Sequence, residues 1–190
     1  MVDLRNGHIL TAEDLNLPKE YRLVDYSVSP QGHWLAATLW QEDISQSERR
    51  SDSIYLFPGE DLTAGRVLKG MSVAGWHTEP SAVILKDNAT GTLSVARLPL
   101  TDTTVTAPLN NARPPLTTLR DMIFAVEAGV PARLVQFDVD GNRRATLDLS
   151  AQSESIQAAR GVGDRVYLGV QGRQEHNACT YALVEWLVGP

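Results

Sequence analysis

The stretch Ser27-Val28-Ser29-Pro30-Gln31-Gly32-His33-Trp34-Leu35-Ala36-Ala37-Thr38-Leu39-Trp40 decides how this chain folds. A short strand runs into Ser29-Pro30-Gln31-Gly32. Proline presets φ for a turn and glycine tolerates positive φ, so the chain reverses there. An apolar strand over 34–40 follows. After a polar loop, a third strand is expected at 53–57. A turn at Pro58-Gly59 and a weaker strand near 66–68 complete the unit.

The same order recurs three times. In the second unit a strand over 72–76 turns at 77–80 into the apolar run 82–85. A hairpin at 87–91, a strand over 92–98 and a polar strand near 103–106 follow. In the third, 116–119 turns through Arg120-Asp121 into 122–126, then come 133–139, the hairpin dipeptide Asp140-Gly141 and 143–149. In the fourth, 155–159 leads through 161–164 to 165–170, a loop, and a strand over 180–187. The first strands begin near Ser27, Ser72, Leu116 and Ser155, which lie 45, 44 and 39 residues apart. That period, with about four strands per unit, is the spacing of propeller blades.

The second strands add a separate argument. Segments 34–40, 82–85, 122–126 and 166–170 are apolar at nearly every position. A half-exposed strand alternates, whereas a continuous apolar run predicts burial on both faces. Outer strands such as 101–106 and 143–148 are more polar, as an exposed rim requires. Pro18 interrupts the one helical composition, at 12–20, and 151–160 reads as a helical turn or a strand. The expected fold is therefore all-β and β-propeller-like, with about four blades of four antiparallel strands in a single domain over 1–190. The blades span about 24–68, 71–109, 114–150 and 153–190. Segment 7–11 is expected to supply the missing outer strand of the last blade and close the ring. The competing arrangement is an open half-propeller completed by a second copy or another chain.

Residues 29–36, Ser-Pro-Gln-Gly-His-Trp-Leu-Ala, resemble the Ser-Pro-Asp-Gly-x-x-Leu-Ala signature of WD-like propeller repeats. Such repeats occur in the Tol-system periplasmic propeller and in the propeller domains of prolyl oligopeptidases. Gln31 stands where the signature has Asp, and the other units match in strand order and spacing rather than in letters. The resemblance implies a fold, and with it docking or gating roles more than catalysis. Those families usually have about six or seven blades, against four units here.

Composition narrows the function. The chain has 190 residues, a formal charge of -6 and 43% hydrophobic residues. A net acidic chain argues against general nucleic-acid binding and against electrostatic docking on anionic membranes. The basic pair Arg49-Arg50 is locally neutralised by Glu48 and Asp52. Cys179 is the single cysteine, which precludes an internal disulfide, fits a reducing compartment, and reads as a small buried hydrophobe. Residues 1–16 lack a basic start and an apolar core, and no run approaches the ~20 residues of a membrane span. A cytoplasmic location is expected, or an exported one if this is an excised domain.

No catalytic residue, metal ligand or cofactor is assigned, and the chain is not expected to be an enzyme. His8, His33, His77 and His176 have no metal-ligand spacing with another His or Cys. Asp138-Val139-Asp140-Gly141-Asn142 misplaces the glycine and glutamate of a calcium loop, so it reads as a hairpin turn. Gly161-Val162-Gly163 lacks a phosphate-loop lysine and reads as a turn, and Asn88-Ala89-Thr90 reads as a polar turn. Trp34, Trp40 and Trp186 are expected in the core. Trp76 precedes a turn beside His77 and is expected to be partly exposed. The loops 41–52 and 171–178 are long for hairpin connections, and both join second to third strands, hence one face of the ring. The expected function is a non-enzymatic protein-interaction scaffold. A protein partner docks on that face through Arg49, Arg50, Trp76, His77, Arg173 and His176. A homodimer is expected if the propeller is incomplete. The alternatives are a small-ligand or carbohydrate-binding propeller and an accessory half of a larger protein.

Overall fold

The computed structural model describes residues 2–3, 8–9, 11, 13–17, 21–41, 53–78, 81–101, 106–151, 153–172 and 181–187. These form the strands β1 (Val2–Asp3), β2 (His8–Ile9), β3 (Tyr21–Val28), β4 (Trp34–Gln41), β5 (Ser53–Pro58) and β6 (Arg66–Lys69). There follow β7 (Met71–His77), β8 (Ala82–Asp87), β9 (Leu93–Arg97), β10 (Ala107–Pro108), β11 (Ala112–Leu119) and β12 (Met122–Glu127). The last are β13 (Val130–Asp138), β14 (Arg143–Asp148), β15 (Ser153–Val162), β16 (Arg165–Gly172) and β17 (Tyr181–Leu187). Among the described residues there is no helix. Fifteen of the strands make four antiparallel sheets in chain order: sheet I (β3–β6), sheet II (β7–β10), sheet III (β11–β14) and the three-stranded sheet IV (β15–β17). Each is a simple meander, because short turns join antiparallel neighbours.

The chain divides into two compact units, Met1–Val73 with Asp87–Ala89, and Ala74–Lys86 with Thr90–Pro190. In the first unit the opening motif shows why it turns. Gly32 N–H donates to the Ser29 carbonyl at 2.8 Å, and Gly32 has φ of 75°. The buried Ser29 hydroxyl accepts the Trp34 N–H at 3.0 Å. Gly59 N–H donates to the His33 carbonyl at 2.8 Å, locking the β5–β6 turn against the β3–β4 turn. A Cβ on Gly59 would lie 2.9 Å from the Gly32 carbonyl oxygen, so only glycine fits this approach. One face of sheet I, with Ala37, Leu39, Tyr55 and Phe57, is covered by Leu15, in the turn at residues 13–16, and by Leu17 just after it.

In the second unit sheet III lies between sheets II and IV. Ile123 and Ala125 of β12 pack with Ile84, Leu93 and Val95 of sheet II. The intervening Phe124 and Val126 pack with Ile156, Val166, Leu168 and Val170 of sheet IV. Successive strand residues point to opposite faces, so β12 is buried on both. The first strands are also tied to one another. Thr118 Oγ1 of β11 donates to the Trp76 carbonyl of β7 at 2.9 Å, and Gly161 N–H of β15 donates to Thr117 Oγ1 at 2.9 Å. The hairpin at Asp140-Gly141 abuts sheet II, where Arg97 pairs with Asp140.

Several expectations are corrected. Among its described residues, segment 151–160 contains no helical turn, because β15 runs through it, paired along β16. His8–Ile9 of segment 7–11 pairs with Val2–Asp3, and sheet IV has three strands among the described residues. Two-face burial holds for 82–85 and 123–126 but not for 166–170, where buried and half-buried residues alternate. Among the described residues of the second unit, sheet IV packs with sheet III through one parity of β16, and the other parity is half-buried or exposed. In 34–40, Ala36, Ala37 and Leu39 are buried while both tryptophans are half-buried. The polar strand near 103–106 falls mostly outside the described residues, and the outer strand found for sheet II is β10.

Candidate interaction surface

Arg49, Arg50, Arg173 and His176 lie outside the described residues, as do most of the two loops that carry them. Trp76 and His77, which end β7, are 9% and 1% exposed. The partial exposure expected for Trp76 is not found: its backbone carbonyl is engaged by Thr118, and its side chain is enclosed. Trp186, expected in the core, is half-buried and packs against it, with its ring edge-on to Phe124 at 5.4 Å between centroids.

The open surface lies elsewhere, on the outer face of sheet IV. Cross-strand register assembles it row by row. Val162 pairs with Arg165, which pairs with Leu187. Arg160 pairs with Tyr167, which pairs with Glu185. Ala158 pairs with Gly169, which pairs with Leu183. Ser155 pairs with Gln171, which pairs with Tyr181. Paired residues point to one side. The alternate residues Val166, Val184 and Trp186 point into the core with sheet III. The outer face therefore presents Val162, Tyr181, Leu183 and Leu187 at 52%, 72%, 72% and 60% exposure. Glu185 on this face pairs with Arg165, which also approaches Asp164 at 3.5 Å. Both carboxylates keep the Arg165 guanidinium more firmly charged, Glu185 foremost. In the first unit, Val24, Tyr26 and Val28 of β3 form a second, narrower exposed apolar strip.

Three perturbed acids, Glu127, Asp138 and Asp148, belong to sheet III and hold it together. Burial alone would raise the Glu127 carboxyl. Hydrogen bonds from Arg133 and Arg143, each at 3.0 Å, outweigh burial and lower it. Burial likewise opposes ionisation of Asp138, but bonds from Asn142 and Arg144 win and lower it. Asp138 also accepts the Asp140 N–H, so the segment that imitates a calcium loop spends its first carboxylate on closing a hairpin. Asp148 is held at about 2, chiefly by Ser150 and then by Arg133. A cleft of about 590 Å³ opens at the turn end of sheet I, lined by Gly32, His33, Trp34, Pro58, Gly59 and Glu60. Among the described residues no three His, Cys, Asp or Glu side chains gather to hold a metal ion. No helix there is long and apolar enough to cross a membrane.

Reasoning from residues alone missed the sheet IV face. A signal was present: Tyr181-Ala-Leu-Val-Glu-Trp-Leu187 is apolar in both parities apart from Glu185, so both faces of that strand seek cover. A scan against protein-family models and a search of curated proteins each found no match to this sequence.

Proposed function

We propose that this chain is a protein–protein interaction scaffold built on β-propeller-type blades, and that the outer face of sheet IV is its docking surface. One observation carries the reading. Sheet III buries both faces between neighbours, whereas sheet IV leaves one face open with four large apolar residues in register. Contiguous exposed apolar surface rimmed by polar groups marks association sites. Support for the blade reading comes from four consecutive antiparallel meanders, the lateral ties between the first strands of sheets II, III and IV, and the WD-like signature at 29–36. A photo-crosslinking side chain at position 183, introduced in cells expressing the protein, tests the reading. A discrete adduct is expected there, none from position 90 in an exposed turn, and loss of the adduct in Leu187→Lys. Absence of any discrete adduct at 183 refutes the docking surface.

The cleft on sheet I favours a second reading, binding of a small carbohydrate-like ligand. Trp34 offers a ring for stacking, and Glu60 and His33 offer hydrogen-bonding groups beside it. Saccharide titration followed by tryptophan fluorescence, compared with Trp34→Phe, decides it: no saturable change removes this reading.

A further inference from the structure

We propose that the occupant of the sheet IV face is a second copy of this chain, packed face to face about a two-fold axis that runs along β16. This rests on the docking reading above and adds the identity of the partner. The register supplies the argument. Such an axis lays β15 of each copy over β17 of the other, with strand directions kept, which is the aligned way in which two sheets stack. A two-fold contact is isologous, so every pairing occurs twice and the face must complement itself.

Away from the axis it does so row by row. Arg160 comes opposite the Glu185 of the second copy, and Glu185 opposite its Arg160. Val162 meets Leu187, and small Ala158 meets large Leu183. On the axis Gly169 faces Gly169, where the absence of side chains lets the sheets approach. Tyr167 faces Tyr167 in the adjacent row, and in the row beyond it Arg165 faces Arg165, each held by its own Glu185 and Asp164. The charges balance as well. Arg160 has no ion-pair partner among the described residues, while Glu185 and Asp164 attend Arg165. Two arginines and two carboxylates leave each face neutral, so bringing two copies together meets no net repulsion.

Sedimentation equilibrium on the whole chain, with circular dichroism to confirm folding, tests this. The wild type is expected to reach a plateau at the mass of a dimer. Leu183→Lys, a change at an exposed position, is expected to be folded and monomeric. Arg160→Glu and Glu185→Arg are each expected to weaken the dimer about tenfold or more, and their combination to restore it to within a few-fold of wild type. That rescue is specific to Arg160 facing Glu185 across the axis. A wild type that stays monomeric to about 100 µM overturns the proposal. So does a dimer indifferent to Leu183→Lys, or a mass that rises without plateau as in head-to-tail assembly. A monomer whose position-183 crosslinker still captures a different chain overturns the second copy while leaving the docking face standing.

Discussion

Phe124 and Ile123 are adjacent on β12, and truncating each should loosen a different part of the protein. Phe124 is fully buried, packs among Leu134, Val166 and Leu168, and meets the Trp186 ring edge at 5.4 Å. Phe124→Ala removes a whole ring from a site with little room to collapse, which costs about 3–5 kcal/mol, the edge-to-face contact included. At about 2–4 °C per kcal/mol for a chain of this size, the melting temperature falls by about 6–20 °C. Ile123 is equally buried but faces sheet II. Ile123→Ala costs about 2–5 kcal/mol. The discriminating assay is amide hydrogen exchange. Phe124→Ala should deprotect β16 and β17 and spare β8 and β9, and Ile123→Ala should do the reverse. If both variants loosen the same strands, or if either costs less than about 1 kcal/mol, sheet III is not packed on both faces and the reasoning fails.

Three further outcomes are expected. Glu127, Asp138 and Asp148 all have lowered folded-state pKa values, so the stability they confer is complete above the ordinary carboxylate range and is lost as pH falls; for Asp148 the window runs from 3.8 down to about 2. Denaturant melts should therefore be flat near neutrality and decline below about pH 4, and Asp148→Asn should decline less steeply. Gly91 and Gly141 have φ of 75° and 79°, but only Gly141 is crowded, its added Cβ lying 2.6 Å from the Pro108 carbonyl oxygen. Thermal melts should show Gly91→Ala losing about 1–2 kcal/mol and Gly141→Ala a further ~1–3 kcal/mol; equal losses contradict the packing of this hairpin on sheet II. Ser29→Ala strips the Trp34 N–H of its side-chain acceptor in a buried turn and should lower the unfolding free energy by about 1–3 kcal/mol, whereas Ser29→Asp should retain part of it.

The turns were legible because they are local. Ser29 to Gly32, Asp87 to Gly91 and Asp140-Gly141 each contain the residues that their backbone geometry demands, and each connects the strands expected. The strand count, the order and the antiparallel pairing followed from those turns. The site was much less legible. Trp76 and His77 sit at a strand end beside a turn, a setting that reads as accessible, yet neighbouring packing encloses both. The face formed by Val162, Leu183 and Leu187 was overlooked because β17, apolar in both parities, signals that both faces seek cover but not which one finds it.

Side-chain alternation along a strand assigns each residue to one of two faces, and turn chemistry sets where the strand reverses. By itself the amino-acid order therefore determined an all-β chain of repeated antiparallel meanders. Which faces find a neighbour depends on contacts between segments far apart in the chain, and no local pattern encodes that. Only the tertiary structure decided that β12 is covered on both sides by sheets II and IV, that 166–170 is covered on one, and that His8–Ile9 joins Val2–Asp3. The repeat that began at Ser27 predicted how each sheet is made, and packing determined which surface was left open.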